Sequence, residues 1–173
     1  MRRPEFEGSE NLLDPNAIAR GMNPADPRRA AVAAGREVIL RTREYLESRQ
    51  SFGIETTLSS SSTLATMETA KERGFAVRLV YVCLDDAERN IERVKERVSR
   101  GGHDVPDEDV RRRYQRSLQN LPAALRLAHQ GVVYDNSLSE PQKVLETREG
   151  VITWRSAHEP AWVTGVCQAI ASY

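Results

Sequence analysis

Lysine is nearly missing from this chain. Lys71, Lys95 and Lys143 are its only three, which leaves 22 of the 25 basic residues as arginine. Net charge is missing too: 25 basic residues balance 25 acidic ones, and the sequence pI is about 6.9. A neutral chain has no global field to draw it to nucleic acid or to an anionic membrane, so neither is an expected partner. Cys83 and Cys167 are isolated and form no CxxC pair. This excludes a disulfide framework or a thiolate metal knuckle and points to a reduced, cytoplasmic protein. His103, His129 and His158 have no partner at metal-ligand spacing, so no metal ligand set is assigned. Neither a Ser-His-Asp order nor a pair of catalytic carboxylates can be defended. No apolar run reaches the length of a membrane helix, and the polar start Met1-Arg2-Arg3-Pro4-Glu5 is no signal peptide.

What is present is a strand–helix alternation across a chain of single-domain length, 173 residues. Leu12-Leu13-Asp14 is a short apolar step ending in an acid, and Asn16 to Arg20 reads as a helical turn stopped by Gly21. Asp26 and Pro27 are an N-cap and first helical residue, opening a helix to about Ser48. Its predicted buried stripe is Ala31, Ala34, Val38, Thr42, Tyr45 and Leu46. A strand follows over Phe52–Thr56. The serines Ser59 to Ser62 then cap a helix with Leu64, Met67 and Ala70, which Gly74 ends in the left-handed region. Phe75 to Leu84 is almost continuously apolar and suits a parallel strand covered on both faces. Asp85 with Glu88 resembles a capping box ahead of a helix with Ala87, Ile91, Val94 and Val98 on one face, closing at Gly101-Gly102. A second helix begins at Pro106-Asp107-Glu108, and Pro122 either kinks it or starts a new segment. Val132 to Asp135 is a further strand, Lys143–Thr147 and Val151–Trp154 a hairpin, and Pro160–Tyr173 a closing helix. The fold class expected is α/β, with a parallel core of three layers.

Two groups of residues carry candidate chemistry. Glu55, Thr56, Thr57 and Ser59 follow the Phe52 strand, where an α/β sheet presents ligand-facing groups. One carboxylate and several hydroxyls suit a polyhydroxy ligand such as a sugar or ribose; the alternative is a polar strand end leading into a linker. The second group is arginine-rich: Arg93, Arg97 and Arg100 share one helix face, and Arg111-Arg112-Arg113 follow on the next helix. Planar guanidinium groups on two helices joined by a Gly-Gly hinge can chelate phosphate oxygens. The alternative is a solvated surface laced with Glu92, Glu96, Glu108 and Asp109. Trp154 and Trp162 read as packing residues.

Six pieces occur in one order: Asp14-Pro15-Asn16-x-Ile18-Ala19-Arg20; Ala33-Ala34-Gly35-Arg36; Phe52-x-x-Glu55-Thr56-Thr57-Leu58-Ser59; Arg97-Val98-x-x-Gly101-Gly102-His103-x-Val105-Pro106; Arg112-Arg113-Tyr114-x-Arg116-Ser117-Leu118-x-Asn120-Leu121; and Tyr134-Asp135-Asn136-Ser137. That succession resembles the zeta-toxin-like P-loop kinases over about residues 12 to 137, with 138–173 as a carboxyl-terminal extension. The resemblance implies ATP- and Mg²⁺-dependent phosphorylation of a hydroxyl on a sugar nucleotide such as UDP-N-acetylglucosamine. It also implies Glu55 and Thr57, with Thr56 and Ser59, as substrate-binding residues. By the same resemblance Arg97, Arg100 and Arg113 are candidates for the phosphate clamp, and Tyr134 and Asn136 neighbours of the nucleotide base. An antitoxin-like protein is the implied partner.

The chain departs from that pattern twice. It holds no Gly-x-x-x-x-Gly-Lys-Ser/Thr loop to cradle phosphates and Mg²⁺. The family's acid falls at Asn16, whose amide cannot accept a proton; Asp14 is the nearby substitute. The expectation is therefore an amino-terminally truncated kinase with little or no turnover, whose open sheet edges favour self-association. The rival expectation is a non-catalytic ligand- or protein-binding module derived from such a kinase.

Overall fold

A computed structural model describes residues 11–100, 102 and 104–172. The chain divides into two compact units, residues 1–56 and 57–173.

The first unit pairs β1 (Leu12–Leu13) in parallel with β2 (Gly53–Ile54) and packs α1 (Pro15–Met22) on α2 (Pro27–Ser48). The strand predicted over Phe52–Thr56 thus shrinks to two residues, flanked by the bonds Gly53 N–H to Asn11 O (3.0 Å) and Glu55 N–H to Leu13 O (2.9 Å). Gly21 does not stop α1. The helix runs on to Met22, and the Asn23 N–H closes it by donating to Ala19 O at 3.0 Å. Asp26 and Pro27 open α2 as expected, the Asp26 carboxylate accepting from Arg28 N–H. Its buried stripe is Ala30, Ala34, Thr42 and Leu46, whereas Ala31 is exposed. Small alanines at 19, 30 and 34 let the two helices approach, and Ile18 fills their edge.

The second unit is built on a four-stranded sheet in the order β3 (Arg78–Cys83), β4 (Gln130–Asp135), β5 (Gln142–Arg148), β6 (Val151–Arg155). Strands β3 and β4 are parallel; β4–β5 and β5–β6 are antiparallel. The expected parallel sheet is therefore mixed. The two-residue turn at Glu149 and Gly150, both at positive φ (49° and 76°), can join only antiparallel neighbours. The segment beyond residue 137 is no appendage either. Val144 and Leu145 from β5, and Val163, Val166, Cys167 and Ile170 from α6 (Ala161–Ala171), share one core with Tyr81, Cys83, Leu121, Ala124, Leu125 and Val133. A bulge between Val133 and Tyr134 turns both Val144 and Leu145 inward.

Helices α3 (Ser61–Glu72), α5 (Asp107–Leu127) and α6 contribute to that core, and α4 (Ala87–Ser99) packs on α5. Within this unit the helices and the sheet form two layers. β3 is accordingly not covered on both faces: Tyr81 and Cys83 are buried, while Val82 is 46% exposed. Ser60 caps α3 as predicted, and Gly74 takes φ 81° beyond its end. The α4 cap lies one residue later than expected, at Asp86, whose carboxylate accepts from Glu88 N–H at 3.0 Å. Pro122 does not start a new segment; it is buried inside α5, which runs unbroken from Asp107 to Leu127. Trp162 packs edge-on to Tyr81, but Trp154 is a surface residue with the Lys143 ammonium 4.6 Å from its ring centre. Burial pushes both cysteine thiols above their ordinary range, so they stay protonated.

Leu145 is fully buried, so truncation tests whether β5 belongs to the core. Leu145→Ala is expected to cost about 2–5 kcal/mol in urea unfolding monitored by circular dichroism. A loss under about 0.5 kcal/mol, typical of a surface position, would contradict that placement.

Candidate functional site

The sequence-derived site residues divide between the two units, Asp14, Asn16, Glu55 and Thr56 in the first and the rest in the second. In the first, Asp14 is the N-cap of α1. Its carboxylate accepts the Asn16 N–H at 2.8 Å and lies 3.8 Å from Arg20. That side chain is thus engaged as a helix cap. Asn16 is exposed on the first turn of α1. Glu55 and Thr56 are exposed just past the end of β2.

In the second unit, Thr57 and Ser59 face one another, their hydroxyl oxygens 2.8 Å apart. Between them Leu58 holds φ 56°, a left-handed conformation that a bulky residue rarely adopts. Burial and a side-chain hydrogen bond hold it there. The Leu58 side chain is 2% exposed within the main core, and its carbonyl accepts the Asn120 Nδ2–H at 2.8 Å. Asn120 is thus a positioning residue for the hydroxyl pair.

The arginines assemble around α4. Arg93, Glu96, Arg97, Arg100 and Gly102 line an open concavity of about 470 Å³. Spacings of three and four residues put these four side chains on one face of the helix end. Gly102 forms its rim by a close approach: its N–H donates to Arg97 O at 2.8 Å, and an added Cβ would meet that same oxygen at 2.5 Å. Gly101 and His103 lie outside the described residues, so the expected Gly-Gly hinge is described only at Gly102. Arg93 ties this wall to the sheet by donating from Nη2 to Asn136 O at 2.7 Å. Arg89 donates to Ser137 O at 2.7 Å, and the Asp85 N–H donates to Ser137 Oγ at 2.8 Å. Asn136 is buried, with its N–H on Cys83 O (2.8 Å); Tyr134 is half-buried on β4. These bonds fix the loop after β4 to the start of α4.

Helix α5 supplies less than expected. Arg111 grips Glu88 with two bonds, 2.6 and 2.9 Å, and Arg112 pairs with Asp109 at 2.7 Å. Arg113 is exposed and is not among the residues lining the concavity. The Arg111 guanidinium holds the Glu88 carboxyl below its ordinary 4.5. His129 is structural, its Nδ1 accepting the Val77 N–H at 3.0 Å. Sequence reasoning missed the Glu88–Arg111 clasp and read Glu96 only as part of a solvated surface. The three- and four-residue spacings of Arg93, Glu96, Arg97 and Arg100 carried the second signal; the first joins two helices and has no local signature.

Fold and site together define a mixed α/β protein with an arginine-walled surface concavity. It belongs to the same family as an uncharacterized protein of Haemophilus influenzae (strain ATCC 51907 / DSM 11121 / KW20 / Rd). The two are 39% identical over 103 residues, 60% of this chain and 74% of the relative. No protein-family model matches the chain, and no solved structure matches it. Among the described residues no helix is long and apolar enough to cross a membrane.

Two measurements check this geometry. Asn120→Ala is expected to destabilise the protein by about 0.5–1.5 kcal/mol, through the lost hydrogen bond to the Leu58 carbonyl. In an NMR titration Glu88 is expected to titrate below 4.5 and to return to its ordinary value in Arg111→Ala. Because the folded value is depressed, the clasp contributes above about pH 4.5 and is lost as pH falls through the folded value. Both groups are exposed, so the contribution is small.

Proposed function

We propose that this chain carries the ligand-gripping part of an ATP-dependent phosphotransferase resembling the zeta-toxin-like P-loop kinases. The substrate is a sugar nucleotide such as UDP-N-acetylglucosamine. The observation that supports this reading is the concavity walled by Arg93, Arg97 and Arg100, with Glu96 beside them. Three guanidinium groups on one helix face match the several oxygens of a diphosphate, and a carboxylate among them can accept from a ligand hydroxyl. Arg97 and Arg100 grip the phosphates in this reading. Thr57 and Ser59 are the candidates for the sugar hydroxyls, and Tyr134 and Asn136 for the base.

Mg²⁺–ATP is a different matter. Within these 173 residues there is no Gly-x-x-x-x-Gly-Lys-Ser/Thr loop to cradle the phosphates. The residues present do not by themselves fit the cofactor, and no step is routed through it. Asn16 carries an amide and offers no base for a hydroxyl proton, and the Asp14 carboxylate is engaged at the α1 cap. These two observations favour, as a second reading, a binding module that retains the phosphate grip without turnover.

Isothermal titration calorimetry on the full chain decides between them. UDP-N-acetylglucosamine is expected to bind, and Arg97→Ala/Arg100→Ala to weaken it at least about tenfold. Mg²⁺–ATP is expected to give no heat and no turnover. Binding of Mg²⁺–ATP with phosphate transfer would restore the kinase reading in full. Failure of the sugar nucleotide to bind would overturn both.

A further inference from the structure

A carboxylate stands in the wall of the concavity that grips phosphate. Arg93, Glu96, Arg97 and Arg100 line it together, three guanidinium groups and one acid. Arg93 lies three residues before Glu96 and Arg100 four after, both at the spacing of helical ion pairs. Glu96 nevertheless makes no ion pair among the described residues. Arg93 turns instead to the Asn136 carbonyl at 2.7 Å, and the neighbouring Lys95 to Asp107 at 3.4 Å. The Glu96 backbone carbonyl accepts the Ser99 hydroxyl at 2.8 Å, while the carboxylate keeps its acceptor capacity.

We infer that Glu96 is a specificity-determining residue of this site, selecting a diphosphate esterified at both ends over one with a free terminal phosphate. The inference rests on the phosphate-gripping reading proposed above. Guanidinium groups stay ionised at any working pH, so the four side chains carry a net of two positive charges. A diphosphate joined at both ends, as in a sugar nucleotide, carries two negative charges and is matched. A free terminal phosphate ionises a second time with a pKa of about 6, so UDP or pyrophosphate brings about one charge more at neutral pH. The Glu96 carboxylate lowers the attraction for every anion, and by more the greater the anion's charge. It returns a hydrogen bond to a ligand with a hydroxyl beside its diphosphate. A sugar supplies that donor, and an ionised phosphate end does not. Without Glu96 the wall would favour the most highly charged anion; with it, excess charge is penalised.

The selection is read by isothermal titration calorimetry of the full chain with UDP-N-acetylglucosamine, UDP and inorganic pyrophosphate, at about pH 7.5, where the terminal phosphates are ionised, and without Mg²⁺. The wild-type chain is expected to bind the sugar nucleotide at least about tenfold more tightly than UDP. Glu96→Gln removes the charge and keeps the size. In it UDP and pyrophosphate are expected to gain about three- to tenfold while the sugar nucleotide does not gain. Glu72→Gln removes an exposed carboxylate from α3, outside the concavity, and is expected to leave all three affinities unchanged. Circular dichroism is expected to show both variants folded. If the sugar nucleotide binds but Glu96→Gln keeps the wild-type preference, the inference is overturned and the phosphate-gripping reading stands. The same holds if UDP binds the wild-type chain as tightly as the sugar nucleotide, or if Glu72→Gln shifts the preference equally. Failure of the wild-type chain to bind the sugar nucleotide would overturn that reading and the inference with it.

Discussion

The close approach of α5 to the sheet at Gly131 is the constraint on which the second unit depends. A Cβ at that position would meet Leu125 Cδ2 at 2.4 Å and Thr147 Oγ1 at 2.5 Å, both fixed in a filled core. Without a side chain there, α5 lies directly on β4 and β5. Leu121, Ala124 and Leu125 are then buried completely against Val133 and Leu145. Interiors packed to this density transmit displacement rather than absorb it. Because α3, α4 and α6 all pack on α5, the placement of this one helix sets the others.

That placement carries through to the arginine wall. Glu88–Arg111 and Lys95–Asp107 fasten α4 to α5, and the Arg89 and Arg93 bonds to Ser137 and Asn136 fasten it to the end of β4. Individually such exposed pairs are weak. Together they fix the direction of a helix whose far end presents Arg97 and Arg100.

Local chemistry made much of this legible beforehand. Asp26-Pro27 and Ser60 announced their helices because capping is settled within three residues, and Glu149-Gly150 announced a hairpin because few residues accept positive φ. The apolar run to Leu84 identified β3 but misjudged its surroundings. Continuous apolarity shows that a strand tolerates burial, whereas Val82 is nearly half exposed. The Asp14 and Asn16 motif was visible, but the capping bond that engages Asp14 was not. The role of Asn120 on the Leu58 carbonyl joins residues 62 positions apart, which no periodicity reports. Fold elements with local signatures were readable; the bonds that orient site residues across elements were not.

The two shielded thiols give the protein a pair of internal clocks. Cys83 lies on an edge strand and Cys167 on the terminal helix, each protected by the same core. An alkylating reagent reaches either only when its element swings open, so each labelling rate times a separate excursion. If the edge strand breathes independently of the last helix, the two sulfurs will keep different time; if the core yields only as a whole, they will tick together.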